Sequence, residues 1–157
     1  MTTRPKFVLK PGQVDFRNIR WAPVINCVVE YKGRFLLVKR SESLRLYPGF
    51  WNGVSGFLDD SQGLEEKVRA EIKEELGLED KDILEIRPGQ VFDQDEPEYK
   101  KTWIVHPVHV KVSTDRIALD WESSEYKWLR FEEINKFDLL PGFSLVLETL
   151  FQDGCSE

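Results

Sequence analysis

The sequence predicts an α/β (α+β) protein with a mixed central sheet between helical layers. Three observations carry this. Short β-branched and aromatic runs recur on both sides of one central helix, from "APVINCVVEY" (22–31) to "KWLRF" (127–131). The helix, about 63–76, repeats apolar residues at Val68, Ile72 and Leu76 and meets a glycine stop at Gly77. A second helix, "FSLVLETLFQ", closes the chain with Leu145, Leu147 and Leu150.

The elements follow in order. Residues 1–20, with Pro5, Pro11 and Gly12, read as an irregular or partly extended arm ahead of a domain over 21–152 and a short tail, 153–157. "APVINCVVEY" is a well-buried strand, and "KGR" turns it into "FLLVKR" as a hairpin. "SESLRLYPGFWNG" is a loop turning at Pro48-Gly49, and "VSGFL" is short and extended. Beyond the helix, "ILEIRPGQVF" is a strand broken at Pro88-Gly89, and "DQDEPE" is a turn. "YKKTWIVHPVHVKV" is a long strand in which Pro107 implies an edge or a bulge. "DWESSEY" is a loop and "FEEINKF" a short helix.

The bulk numbers bound the function. The 157 residues suit one core. No apolar run approaches the roughly 20 residues of a membrane helix, and "MTTRPKFVLKPG" has no apolar signal core. Cys27 and Cys155 are too few and too far apart for a disulfide framework, so a cytoplasmic protein with reduced thiols is expected. The net charge of −6 argues against a nucleic-acid polymer as partner. An acidic protein can still handle a small polyphosphate if metal ions stand between the charges.

The helix carries the chemistry. In "AEIKEELG", Glu71 and Glu75 lie about 40° apart, and Glu74 lies about 60° to the other side of Glu71. Like charges at this spacing repel. They flank the apolar stripe, and hard oxygen ligands on one face suit Mg2+, with Mn2+ as a substitute. A solvated face accounts for most such segments, so the surrounding residues decide.

The segment "GFLDDSQGLEEKVRAEIKEELGL", Gly56 to Leu78, resembles the signature of the Nudix hydrolase family. That pattern is a Gly, five residues, a Glu, seven residues, Arg-Glu, an apolar residue, any residue, Glu-Glu, any residue, Gly and an apolar residue. Gly56, Glu71, Ile72, Glu74, Glu75, Gly77 and Leu78 match it; Gln62 replaces the early Glu and Ala70 the Arg. The family's Arg is understood to hold a signature Glu by an ion pair, and Arg69, about 100° around the helix, does not simply substitute. "LLVKRSESLRLYPGFWNGVSG" and "LDWESSEYKWLRFEEI" extend the likeness to roughly residues 22–150.

The resemblance implies a Nudix-like α/β/α sandwich and a metal-dependent hydrolase that cleaves the pyrophosphate linkage of a nucleoside diphosphate derivative. It assigns Glu71 and Glu75 to metal with the Gly56 carbonyl, and Glu74 as a further ligand or the residue orienting water. Glu122 is the candidate general base and Glu125 the second choice. Arg40 either meets a substrate phosphate or is a surface arginine, and Trp51 and Trp121 either pack in the core, as most such rings do, or stack on a flat group. His106 and His109 point to opposite faces of one strand and form no metal pair. The implied partner is a small nucleotide-type substrate, and a homodimer is allowed. Two alternatives stand. A binding module that keeps the fold without turnover is favoured by Gln62 and Ala70. An isopentenyl-diphosphate isomerase would need a cysteine that "WNGVSGF" lacks.

Overall fold

The computed structural model describes residues 8–151. Its elements, in order, are β1 (Trp21–Tyr31), β2 (Arg34–Arg40), β3 (Trp51–Asn52), β4 (Val54–Phe57), α1 (Leu64–Leu76), β5 (Ile83–Pro88), β6 (Phe92–Glu96), β7 (Lys101–Val112), β8 (Ser123–Leu129) and α2 (Phe143–Leu150). Lys32 and Gly33 join β1 to β2 at φ of 47° and 80°. This is the two-residue turn whose twist matches that of the strands it joins.

All eight strands form one mixed sheet with the path β3-β2-β1-β7-β5. β1 and β7 are the parallel pair at its centre, in register from Trp21 opposite Thr102 to Glu30 opposite Lys111. β4 pairs antiparallel with the first half of β1, Gly56 opposite Ile25. β8 lies on β2, and β5 and β6 share the outer side of β7.

Alternation along β1 builds the two layers. Ile25, Cys27 and Val29 pack with Val68, Ile72 and Leu76 of α1. Ala22 and Val28 join the opposite cluster with Phe143, Val146 and Leu150 of α2. The sandwich expected from the sequence is therefore present. Each fully buried aliphatic side chain such as Ile72 contributes about 1.5–3 kcal/mol by leaving water. α1 begins at Gly63, whose N–H donates to the Glu66 carboxylate at 3.0 Å. It ends at Gly77 in the left-handed region, φ 73°, whose N–H donates to the Lys73 carbonyl.

Several local readings change. β7 is central, so Pro107 marks no sheet edge; it lies in the irregularity between β5 and β6, where Pro88 to Phe92 spans four steps against three from Val108 to Val105. The Pro107 carbonyl accepts from Gly89 N–H at 2.8 Å. Pro107 thus faces the gap between β5 and β6, where its missing donor leaves no ladder bond unmade. "DQDEPE" contributes a strand: β6 pairs with β7, and the turn is confined to the 3₁₀ segment Pro97–Tyr99. Asp93 and Asp95 sit exposed on that outer strand, so pairing with β7 overrides low strand propensity. Ser123–Tyr126, read as loop, already pair with β2. The short helix expected at "FEEINKF" is present as a 3₁₀ helix, Phe131–Lys136.

Among residues 8–19 of the arm there is no strand or helix. This stretch is fastened to the domain: Val14 N–H donates to the Asp59 carbonyl, Phe16 stacks on Phe57 at 6.0 Å, and the Lys101 amine caps the carbonyls of Phe16 and Ile19. Residues 1–7 and the tail at 153–157, with Cys155, lie outside the described residues. No described helix is long and apolar enough to cross a membrane.

Candidate active site

α1 presents its glutamates to the edge of the sheet at β4. A Cβ built on Gly56 would stand 2.7 Å from Glu71 Cδ and 2.9 Å from its Oε1. The absence of a Cβ at Gly56 thus leaves room for the Glu71 side chain directly against its backbone. Glu75, one turn on, is 5% exposed, and its Oε2 has no hydrogen-bond partner. Glu74 is exposed.

A second group of carboxylates arrives from a distant part of the chain. The Glu122 N–H donates to Asp120 Oδ1 at 3.0 Å, and its carbonyl accepts from Ser41 N–H at 2.8 Å, where β2 ends. The β2–β8 register slips between Lys39 and Arg40. Such a bulge re-aims the side chains beside it. Oxygens of Glu74, Asp120 and Glu122 lie within 4.8 Å of one another. Asp120 Oδ2 is a further buried oxygen without a partner.

Electrostatics follow from this crowding. Burial, then the charge of Glu122 and contact with Glu71, push the Glu75 carboxyl well up. Glu71 is raised by burial and the Glu74 charge, although its bond to Glu75 works the other way. Burial and the charges of Asp120 and Glu71 push Glu122 up to about 7. Burial also raises Asp120. The Glu74, Asp120 and Glu122 oxygens lie together, and buried oxygens of Asp120 and Glu75 lack partners; Glu71 and Glu75 stand outside that close group. Such carboxylates fit a hard divalent cation, which relieves charge repulsion and missing partners together.

Lys67 is the cation among them. Its amine is 3.2 Å from Asp59 Oδ1, 3.2 Å from Asp60 Oδ2 and 3.9 Å from Glu71 Oε2. Burial works against the ammonium, yet these partners outweigh it and hold the Lys67 pKa above the usual lysine value. Neither Lys67 nor Asp120 was expected from the sequence. The signals were present: Lys67 is four residues before Glu71, and Asp120 two before Glu122.

Two cavities meet at Ser55, Gly56, Phe57 and Glu122. One is acidic, walled by Asp59, Asp60, Glu71 and Glu74, with Lys10 and Gln13 of the arm on its rim. The other is lined by Leu46, Tyr47, Trp103 and Val105, with Arg40 and Gln94 among its polar groups. Arg40 is fixed by donating Nε–H and Nη2–H to the Leu46 carbonyl at 3.1 and 2.9 Å. Burial lowers its pKa and the Glu122 charge opposes this.

Other expected residues lie elsewhere. Trp51 does not line either cavity; its ring packs in the core against Phe137, centroids 5.1 Å apart. The loop read around it is pinned by β3, so the ring turns inward. Glu125 faces Lys39 across the sheet at 3.7 Å. Trp121 is half-buried in the turn and lines neither cavity. His109 bonds Glu30 at 2.7 Å through Nε2 and receives Arg87 Nη2 at Nδ1. Because arginine only donates, Nε2 carries the proton, and burial lowering the His109 pKa agrees with a neutral ring.

A family model described as NUDIX domain matches residues 20–150. The nucleoside triphosphatase NudI of Klebsiella pneumoniae subsp. pneumoniae is 27% identical over 129 residues, spanning 77% of this chain and 90% of that protein. Among solved structures, the MutT protein from Methanosarcina mazei Go1 superposes with a TM-score of 0.64 at 23% identity, over 81% of this chain and 89% of that one. The NUDIX domain of Shewanella oneidensis NrtR, complexed with ADP ribose, gives 0.70 at 16% identity, over 83% and 86%. These two likenesses concern the fold. The family match takes in the whole sheet and both helices, including the glutamate face and its glycine, and the chain accordingly belongs to the NUDIX domain family, as a hydrolase of phosphoric anhydride bonds.

Proposed function

We propose that the protein hydrolyses the pyrophosphate linkage of a nucleoside diphosphate derivative, with Mg2+ held by Glu71, Glu74, Glu75 and the Gly56 carbonyl and with Mn2+ as a substitute. One observation supports this reading: Glu71, Glu74 and Glu122 wall one cavity with Gly56, and Glu74 and Glu122 gather with Asp120, whose buried oxygen, like that of Glu75, is left unpartnered. When bound, a divalent cation neutralises the diphosphate and polarises its phosphoryl oxygens. The protein's own groups do the rest. Glu122, with its carboxyl near 7, takes the proton of the attacking water as the new P–O bond forms and the anhydride bond breaks. Arg40, anchored through Leu46, directs its remaining N–H groups at a phosphate. The aromatic cavity next to Gly56 takes the flat part of the substrate against Tyr47 and Trp103, in place of Trp51, whose ring packs in the core.

The setting is cytoplasmic, where the buried Cys27 thiol stays reduced. Light scattering tests whether a homodimer forms. The substrate test is a Mg2+-dependent phosphate and pyrophosphate release screen. It covers nucleoside triphosphates, which the name of the Klebsiella relative suggests, ADP-ribose, nucleotide sugars, dinucleotides and coenzyme A. Turnover of at least one class that EDTA abolishes is expected. Tight nucleotide binding with no turnover on any class would replace the enzyme by a binding module.

A further inference from the structure

We propose that Lys67 is the positioning residue of the metal glutamates, tying Glu71 to the Asp59-Asp60 loop and holding its carboxylate in one orientation. This rests on the hydrolase reading above for its consequence in turnover, but its geometry stands independently. Lys67 is 8% exposed, and its amine reaches three carboxylates, two on the loop before α1 and one on α1 itself. A buried ammonium is retained where its partners surround it. On the helix, Lys67 lies about 40° from Glu71 and about 20° from Glu74, inside the arc that the glutamates occupy. Ala70, the alternative position for a cation on this helix, has no charge and is exposed.

The loop end of the clamp is itself fixed. Asp59 uses Oδ1 for Lys67, while its Oδ2 accepts from Gln13 Nε2 at 2.8 Å and its carbonyl accepts from Val14 N–H. The arm, outside the residues matched by the family model, therefore braces the carboxylate that braces Lys67. A side chain held by such a shell offers its oxygens to a ligand without reorganising.

Two effects of removing the ammonium have opposite sign, which makes the test decisive. Lys67→Met leaves the site one unit more negative, so charge alone tightens cation binding. Loss of positioning weakens it. The measurement is Mn2+ affinity of the substrate-free protein by electron paramagnetic resonance. The expected result is an affinity lowered about tenfold in Lys67→Met, the scale for losing a group that orients a metal ligand. Lys67→Arg should bind within about twofold of the parent, because it restores a charged donor at the same place. Turnover at saturating Mg2+ should fall with the affinity in Lys67→Met and return in Lys67→Arg. Should Lys67→Met not fold, Lys67→Met with Asp59→Asn removes one charge of each sign and must show the same loss of affinity. Mn2+ binding that is unchanged or tighter in either variant overturns the proposal. The Mn2+ measurement needs no turnover, so a parent without hydrolytic activity counts against the hydrolase reading and leaves this test in force.

Discussion

Single residues set the chemistry here through burial. Glu75 is the most enclosed of the three helix glutamates, with one carboxylate oxygen unpartnered. Glu75→Gln keeps its shape and removes its charge, so the fold should survive. Metal affinity and turnover should drop together by at least about tenfold. Parent-like activity of Glu75→Gln at low Mg2+ would place the ion elsewhere. Glu122 gives a prediction in pH. Its folded pKa, about 7, lies above the ordinary glutamate value of 4.5, so the folded state holds this proton more tightly than the unfolded chain. That contribution to stability is complete below the ordinary value and is lost as pH rises through the folded one. Metal-free protein should thus lose stability over this window, and Glu122→Gln should flatten the loss. The variant should melt higher above the window, by about 2–4 °C for each kcal/mol of strain removed. Melting curves in EDTA across the window check this, and parallel parent and variant slopes would contradict it.

At the scale of the element, α1 combines two faces within one arc. Val68, Ile72 and Leu76 bury the helix on the sheet, and the neighbouring glutamates are drawn partly inward with them. Ala70 is exposed and sits one turn before Glu74, which forms no ion pair among the described residues. Ala70→Arg therefore meets no steric obstacle and supplies an i,i+4 partner to Glu74. An exposed pair of this kind contributes about 0.3–0.5 kcal/mol, so the melting temperature should move by no more than about 2 °C. Turnover should rise several-fold as Glu74 is held in one rotamer. Steady-state kinetics beside a melting curve decide it. A fall in activity would show that Glu74 works better free, with Lys67 supplying all the cationic support that the face requires.

For the whole molecule, the site exists only where sheet, helix and turn meet. Its preorganisation lies in the folded state, so Mg2+ should bind that state preferentially and raise the melting temperature. At a hundred times its dissociation constant the gain is about 2.7 kcal/mol, or roughly 5–10 °C for a chain this long. Glu71→Ala combined with Glu75→Ala should abolish the response. A shift that persists in the double variant would locate the ion outside the α1 face.

The sequence by itself determined most of the elements and the placing of the glutamate face beside Gly56. Local rules suffice for these: the period of Val68, Ile72 and Leu76, the Gly77 stop, the Lys32-Gly33 turn, and the spacing of Gly56, Glu71, Glu74 and Glu75, which a single helix and its approach strand bring together. What only the tertiary structure decided lies across long separations. Asp120 reaches Glu74 because β8 pairs with β2 and Ser41 fixes the Glu122 backbone. Trp51 turns into the core because its neighbours there, Phe137 and Leu139, come from the far end of the chain. Lys67 meets Asp59 and Asp60 because the loop folds back over the start of α1. A charge's partner and a ring's environment depend on which segments share a volume, and spacing along the chain does not encode that.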